Sequence, residues 1–340
     1  MRELLRELGD PQERFPAIHV VGTNGKSTTT RLTEALLADA GLKVGAYLSP
    51  HVRGWSERIR VDGEEAHFDA AVAAVREPAE VLGATQFEVL TAAALAAFSR
   101  EQVDVAVVEA GLGGRHDATN VLRTRVVVLT GVALDHMDVL GDTREAIAAE
   151  KLAVVQPGCT VVLGEPEWRE LARENGAATV VVTGRSNLAL AIAAAESFLA
   201  RPVDPHAADG IELAGRLERR GDEPLEIWDG AHNLAGIGWL LPRLPSAPAW
   251  TVVCSILRDK RPGMMLEALS VLGPGLIATE SRNGRALPAA ELAALGSAHF
   301  ENVEALTDPT AARARAVELA GPEGAVLVTG SLYLLADLSQ

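Results

Sequence analysis

Along the 340-residue chain, short runs of Val, Ile, Leu and Ala alternate with longer stretches in which apolar residues return every three or four positions. The runs predict buried strands, and the periodic stretches predict helices with one apolar face. In the first part of the chain strands are expected at 17–21, 43–48, 103–109, 125–130, 159–163 and 178–182, with helices at 26–41, 69–82, 87–100, 143–155 and 187–200. Arg201-Pro-Val-Asp-Pro-His-Ala-Ala-Asp-Gly210 interrupts the alternation and reads as a linker. Beyond it, strands are expected near 224–228, 250–254, 275–278 and 324–329. Strand–helix alternation of this kind predicts an α/β fold with mainly parallel sheets. The expected division is a larger domain over 1–205 and a smaller Rossmann-like α/β domain over 206–340.

Composition narrows the classes. A hydrophobic content of 48% is ample for two cores. No uncharged apolar run approaches the roughly 18 residues of a membrane span. The segment Met1 to Leu8 is a charged amphipathic helix without the apolar centre of a signal peptide, so a cytoplasmic protein is expected. The only two cysteines, Cys159 and Cys254, lie in apolar strand-like runs and read as reduced core residues. A net charge of −15 argues against a nucleic-acid partner, which needs a concentrated basic face.

One stretch carries chemistry on its own: Ala17-Ile-His-Val-Val-Gly-Thr-Asn-Gly-Lys-Ser-Thr-Thr-Thr30. An apolar strand feeds a glycine-flanked turn that opens onto a helix. The unpaired N–H groups of a helix N-terminus and its dipole favour anions. Gly22 and Gly25 allow close backbone approach to phosphate, Lys26 brings a positive charge, and Ser27 or Thr28 offers a hydroxyl to Mg2+. The two glycines are separated by two residues, where the common phosphate-loop spacing has four. Two further strands deliver polar groups at their C-terminal ends, where open α/β sheets bind ligands. One ends in Glu109 before a glycine-rich loop, and the other leads to Leu134-Asp-His136. A carboxylate and a histidine placed there suit Mg2+ and bound oxygens.

These residues fall in an ordered set. Gly22-Thr-Asn-Gly-Lys-Ser27, Ser49-Pro-His51, Glu57-Arg-Ile-Arg-Val-Asp-Gly63, Thr85-Gln-Phe-Glu88, Glu109-Ala-Gly-Leu-Gly-Gly-Arg-His-Asp-Ala-Thr-Asn120 and Leu134-Asp-His136 come first. Glu150-Lys151, Gly215-Arg216, Asp229-Gly-Ala-His-Asn233, Asp259-Lys260 and Gly330-Ser-Leu-Tyr-Leu334 follow. The whole resembles the folylpolyglutamate synthase/dihydrofolate synthase family, the folate branch of the Mur ligase superfamily, in a short form. The resemblance implies a Mur ligase-type P-loop ATPase domain followed by the C-terminal Rossmann-like ligase domain. It implies a monomer that adds L-glutamate to dihydropteroate or a reduced folate through an acyl phosphate, giving ADP and phosphate, with ATP and Mg2+ required. Residue by residue, it implies that Gly22, Thr23, Asn24, Gly25, Lys26, Ser27 and Thr28 cradle phosphates. Asn187, Arg216 and Asp229 would contact the nucleotide. Glu109 would hold a first Mg2+, and His136 and a carbamylated Lys151 a second. Thr85, Phe87, Asp117 and Ala118 would line the pteroate pocket, and His232 and Ser331 would face glutamate. Lys26, His136 and Lys151 would be the catalytic set.

Two positions depart from the family pattern. Ser27 stands directly after Lys26, where the folate branch usually has Gly. Leu48 occupies the place of a hydroxyl that ligates the first Mg2+ in folate-type enzymes. Ser27 is therefore expected to take over that metal role. The alternatives are a Mur-type amino-acid ligase acting on a non-folate carboxylate, and a nucleotide-binding protein without ligase activity.

Overall fold

The computed structural model describes Met1–Gln340. The chain divides into two compact units, Met1–Pro50 with Trp55–Ile211, and His51–Gly54 with Glu212–Gln340.

The first unit is built on an eight-stranded sheet of β1 (Ala17–Val21), β2 (Val44–Tyr47), β3 (Ile59–Val61), β4 (Glu64–Glu65), β5 (Val105–Glu109), β6 (Thr124–Leu129), β7 (Thr160–Leu163) and β8 (Thr179–Val182). Their order across the sheet is β4-β3-β2-β5-β1-β6-β7-β8. β2, β5, β1, β6, β7 and β8 run parallel, and β3 and β4 are added antiparallel at one edge. β1 is flanked by β5 and β6 and every one of its residues is buried. A parallel strand covered on both faces is a near-continuous apolar run, here broken only by His19, so 17–21 reads as a strand. The helices Lys26–Asp39 and Asn187–Leu199 pack together over one face of β1, with Ile18 and Val20 beneath them. On the opposite face Ala17 and Val21 join the apolar clusters under Gln86–Arg100 and Arg144–Leu152.

The helix expected at 69–82 is two helices, Phe68–Ala73 and Arg76–Val81. Pro78 explains the break: without an N–H it is tolerated only in a first turn, so a new helix must start just ahead of it. The antiparallel edge strands were not read from the pattern because they are short and largely polar.

The second unit carries β9 (Glu218–Asp222), β10 (Leu225–Trp228), β11 (Trp250–Cys254), β12 (Gly275–Ala278), β13 (Asn302–Ala305) and β14 (Ala325–Thr329) in the order β13-β12-β11-β14-β10-β9. All are parallel except β9. β9, Glu-Arg-Arg-Gly-Asp, is an exposed charged edge with no apolar period to announce it. Val52, from the short segment His51–Gly54, joins the apolar cluster of Trp228, Val253, Leu332 and Leu335. Both cysteines are buried thiols, Cys254 closing β11 and Cys159 just before β7. No helix is long and apolar enough to cross a membrane.

Candidate functional site

The loop Gly22–Gly25 joins the C-terminal end of β1 to the N-terminus of the helix Lys26–Asp39. Its shape is enforced by neighbours on both sides. A Cβ on Gly22 would collide with the Thr130 hydroxyl, and one on Gly25, at φ +83°, with the Asn187 amide. Thr130 Oγ1 donates to the Asn24 carbonyl at 2.7 Å. Thr23 N–H donates to Gly131 O at 2.9 Å, and the Thr23 hydroxyl accepts from Ala133 N–H at 3.1 Å. The loop is thus laced to the segment that follows β6. Of the four consecutive hydroxyl residues, Thr29 and Thr30 are fully buried in the helix's packed face. Only Ser27 and Thr28 remain on the partly open side.

Glu109, at the end of β5, lies beside this loop. Ser27 Oγ donates to Glu109 Oε1 at 3.1 Å, and Ser49 N–H donates to Oε2, also at 3.1 Å. Lys26 Nζ stands 3.9 Å from Oε1 and donates to the Thr23 carbonyl at 3.4 Å. Leu48 is buried, and its N–H donates to Arg58 O at 2.9 Å. Lys151 arrives from the helix Arg144–Leu152 and is 4% exposed. Its ammonium donates to the Gly22 carbonyl at 3.0 Å. Burial, reinforced by the Lys26 charge, pulls its pKa down to about 7. A neutral amine is therefore well populated at physiological pH. His136, half-buried with φ +50°, caps the short helix Met137–Leu140, and its N–H donates to Asp135 Oδ1 at 2.9 Å. No three His, Cys, Asp or Glu side chains gather into a cation cage. Beside the phosphate loop, the Ser27 hydroxyl and the Glu109 carboxylate bring hard oxygen donors into contact.

The residues expected to line a pteroate pocket lie in the loop after β5 and at the start of the helix Gln86–Arg100. Thr85 is that helix's N-cap and forms a reciprocal capping box with Glu88. Phe87 presses against Gly111, where a Cβ would overlap its ring, and lies 6.1 Å from the buried Tyr47 ring. Asp117 organises the loop internally. Its Oδ2 accepts from Leu112 N–H at 2.8 Å, and its Oδ1 accepts from Thr119 N–H at 2.9 Å and from the Thr119 hydroxyl. Ala118 sits half-buried between them. Two residues missed from the sequence complete this arrangement: Thr119 and, on β1, His19, with His19 Nε2 2.8 Å from Thr119 Oγ1. The available signal was a histidine inside an otherwise apolar buried strand.

The remaining predicted residues belong to the second unit, at the C-terminal ends of β10 and β14. Asp229 accepts from Leu217 N–H and Ala231 N–H, each at 2.9 Å. Burial raises its pKa, opposed by Arg216 and by those two N–H groups. Arg216 donates to Gly215 O at 3.1 Å. His232 Nδ1 lies 2.8 Å from Gly230 O, and since a carbonyl only accepts, Nδ1 carries the proton. Ser331 is the N-cap of the helix Leu332–Ser339 and is 1% exposed. Buried Lys260, near Asp259, and buried Ser255 and Ser281 follow β11 and β12 at the same end of the sheet.

A phosphate loop on a central parallel strand, with a carboxylate, a serine hydroxyl and a cooled lysine around it, is the geometry of a Mur-type ATP-dependent ligase. Family models agree: the Mur ligase middle domain matches residues 20–201, and the Mur ligase glutamate ligase domain matches residues 215–332. The folylpolyglutamate synthase of Lacticaseibacillus casei is 32% identical, over 99% of this chain and 92% of its own. Escherichia coli FolC, solved in complex with DHPP and ADP, superposes with a TM-score of 0.90 at 29% identity, covering 99% of this chain and 90% of that one. A bifunctional folylpolyglutamate synthase/dihydrofolate synthase with Mn, AMPPNP and L-glutamate bound superposes at 0.88 with 30% identity, covering 99% and 92%. The chain belongs to the folylpolyglutamate synthase/dihydrofolate synthase family of Mur ligases.

Proposed function

We propose that this ligase joins the amine of L-glutamate to the carboxylate of dihydropteroate or a reduced folate, at the expense of ATP. The observation that carries the reading is the convergence of Lys26, Ser27 and Glu109 on a phosphate loop that has no room for side chains at Gly22 and Gly25. In the reaction, a carboxylate oxygen of the acid attacks the γ-phosphorus and ADP leaves. The glutamate amine then attacks the acyl carbon, phosphate departs and the amine loses a proton. Phosphoryl transfer between anions demands positioning and charge compensation more than covalent help. Lys26 and the loop N–H groups supply that compensation, with Asn24, Thr23 and Thr28 completing the cradle and Asn187 fixing its position. Ser27 Oγ and Glu109 are hard oxygen donors in mutual contact, which suits Mg2+. The cation, when bound there, would neutralise phosphate charge. His136 is assigned to a second metal.

Lys151 supports the same reading. Its population of neutral amine is the form that adds to CO2, the nitrogen bonding to carbon as a proton is released. The product is a carbamate, an anionic oxygen donor beside the phosphate loop. Phe87, Asp117, Ala118 and Thr85 are assigned to the acid. In the second unit, Arg216 and Asp229 are assigned to the nucleotide and His232 and Ser331 to glutamate. Buried Lys260 adds a cation suited to a glutamate carboxylate. We assign a cytoplasmic monomer.

The test is ADP release with dihydropteroate and with tetrahydrofolate, each with and without glutamate. Glutamate-dependent turnover of at least one acid is expected. Turnover of neither, alongside turnover of another carboxylate from a panel, would replace the folate assignment with a different Mur-type substrate. ATP binding without turnover of any acid would overturn ligase chemistry.

A further inference from the structure

β1 carries two things: at its end the phosphate loop, and in its middle the buried imidazole of His19. Ala17 and Val21 share His19's face of the sheet and are packed in apolar clusters, so a histidine between them needs a polar partner. That partner is Thr119 Oγ1, at 2.8 Å from Nε2. The direction of the bonds follows from the end of the chain. The Asp117 carboxylate can only accept, so the Thr119 hydroxyl donates to it, and Thr119 in turn accepts from Nε2–H of a neutral imidazole. Burial keeps His19 neutral, lowering its pKa to about 4.

Asp117 then holds Leu112 N–H and Thr119 N–H, closing the loop that follows Glu109. Along that loop, Gly111 backs the Phe87 ring, and Gly114 lies against the Glu150 and Lys151 carbonyls with no room for a Cβ. Arg115 N–H donates to Glu150 O at 3.1 Å. One line of hydrogen bonds therefore runs from the phosphate-loop strand to the loop bordering both Phe87 and Lys151.

We propose that His19 is a positioning residue for the ligase reaction, holding the 110–120 loop, and with it the acid-binding side, in fixed register with the phosphate loop. The kinetic part of this proposal rests on the folate-ligase reading; the structural part does not.

The experiment uses the full-length protein as wild type, Thr119→Val, Thr119→Ser and His19→Leu. Thr119→Val breaks the line with almost no change of volume, so it serves even where His19→Leu compromises folding. KM for whichever of dihydropteroate and tetrahydrofolate the wild type turns over should rise by about tenfold or more in Thr119→Val, with KM for ATP changed by less than about twofold. Thr119→Ser should restore it. Amide hydrogen exchange at Leu112 and Thr119 should accelerate by about tenfold or more in Thr119→Val, with β1 and β5 still protected. Equal rises in both KM values, or unchanged exchange at Leu112 and Thr119, would overturn the proposal. Were the wild type to turn over neither acid, the substrate reading would fall and exchange alone would decide the role of His19.

Discussion

Ser27 and Lys151 show how single side chains divide the work at the phosphate loop. Ser27, whose hydroxyl meets Glu109 where buried Leu48 has none to offer, is the residue we propose for the metal-facing role. Ser27→Ala should lower Mg2+-dependent kcat by about 10²-fold, since one electrostatic donor is typically worth that much. A titration of Mg2+ should also show weaker half-saturation, and a variant with wild-type Mg2+ response would remove Ser27 from the cation. Lys151 is a different case because it costs stability. Its folded pKa of about 7 lies below the ordinary 10.5, so between those values the unfolded chain binds more protons and wild-type stability rises with pH. In bicarbonate-free buffer, Lys151→Met should therefore be the more stable protein at pH 7, by up to about 4 kcal/mol. Its advantage should shrink towards pH 10, as thermal melts across that range would show, while its ligase activity is lost. Glu109 and Lys26 were legible in the sequence because a charged residue beside an apolar strand or a glycine turn asks for a reason. Lys151 was legible only through resemblance, since a lysine beside a glutamate on a helix reads as solvated.

At the scale of elements, the strand–turn–helix unit around residues 17–39 is the rigid part of the site. Its glycines answer to other elements: Gly25 to the helix Asn187–Leu199, and Gly22 to the segment after β6. Gly25→Ala adds a strained left-handed alanine and a clash with Asn187, so nucleotide binding should weaken by about tenfold or more. Calorimetric titration with ADP would measure this. Adding Asn187→Ala would relieve only the clash, leaving the backbone strain, so recovery should be partial. The central strands of both parallel sheets were legible because burial on two faces leaves a continuous apolar run, whereas the half-exposed parallel edge β13, Asn-Val-Glu-Ala, was missed. The polar edges β4 and β9 were not legible either, and neither was the line from His19 to Asp117. A hydrogen bond spanning one hundred positions of sequence leaves no local period.

On the scale of the whole molecule, each unit has its own core, so local damage should stay local. Glu226, buried on β10, accepts from Arg313 at 2.6 and 2.7 Å and from the Trp228 indole at 2.6 Å. Glu226→Ala strands both donors and should destabilise the second unit by about 2 kcal/mol, Arg313 being partly solvated. Scanning calorimetry should show a lowered transition that excess ADP does not restore in full. The two-part α/β character was legible from the alternation, but 201–210 is no linker: it belongs to the first unit, with Ala208 in its core, and the division falls after Ile211. What no pattern announced is that the second unit is discontinuous. The ribosome lays down Val52 long before Trp228, Leu332 and Leu335, the side chains it packs among, have been made. This unit therefore cannot finish folding from its own stretch of message. A fragment beginning at Glu212 would lack a piece of its core that only the earlier half of the chain supplies.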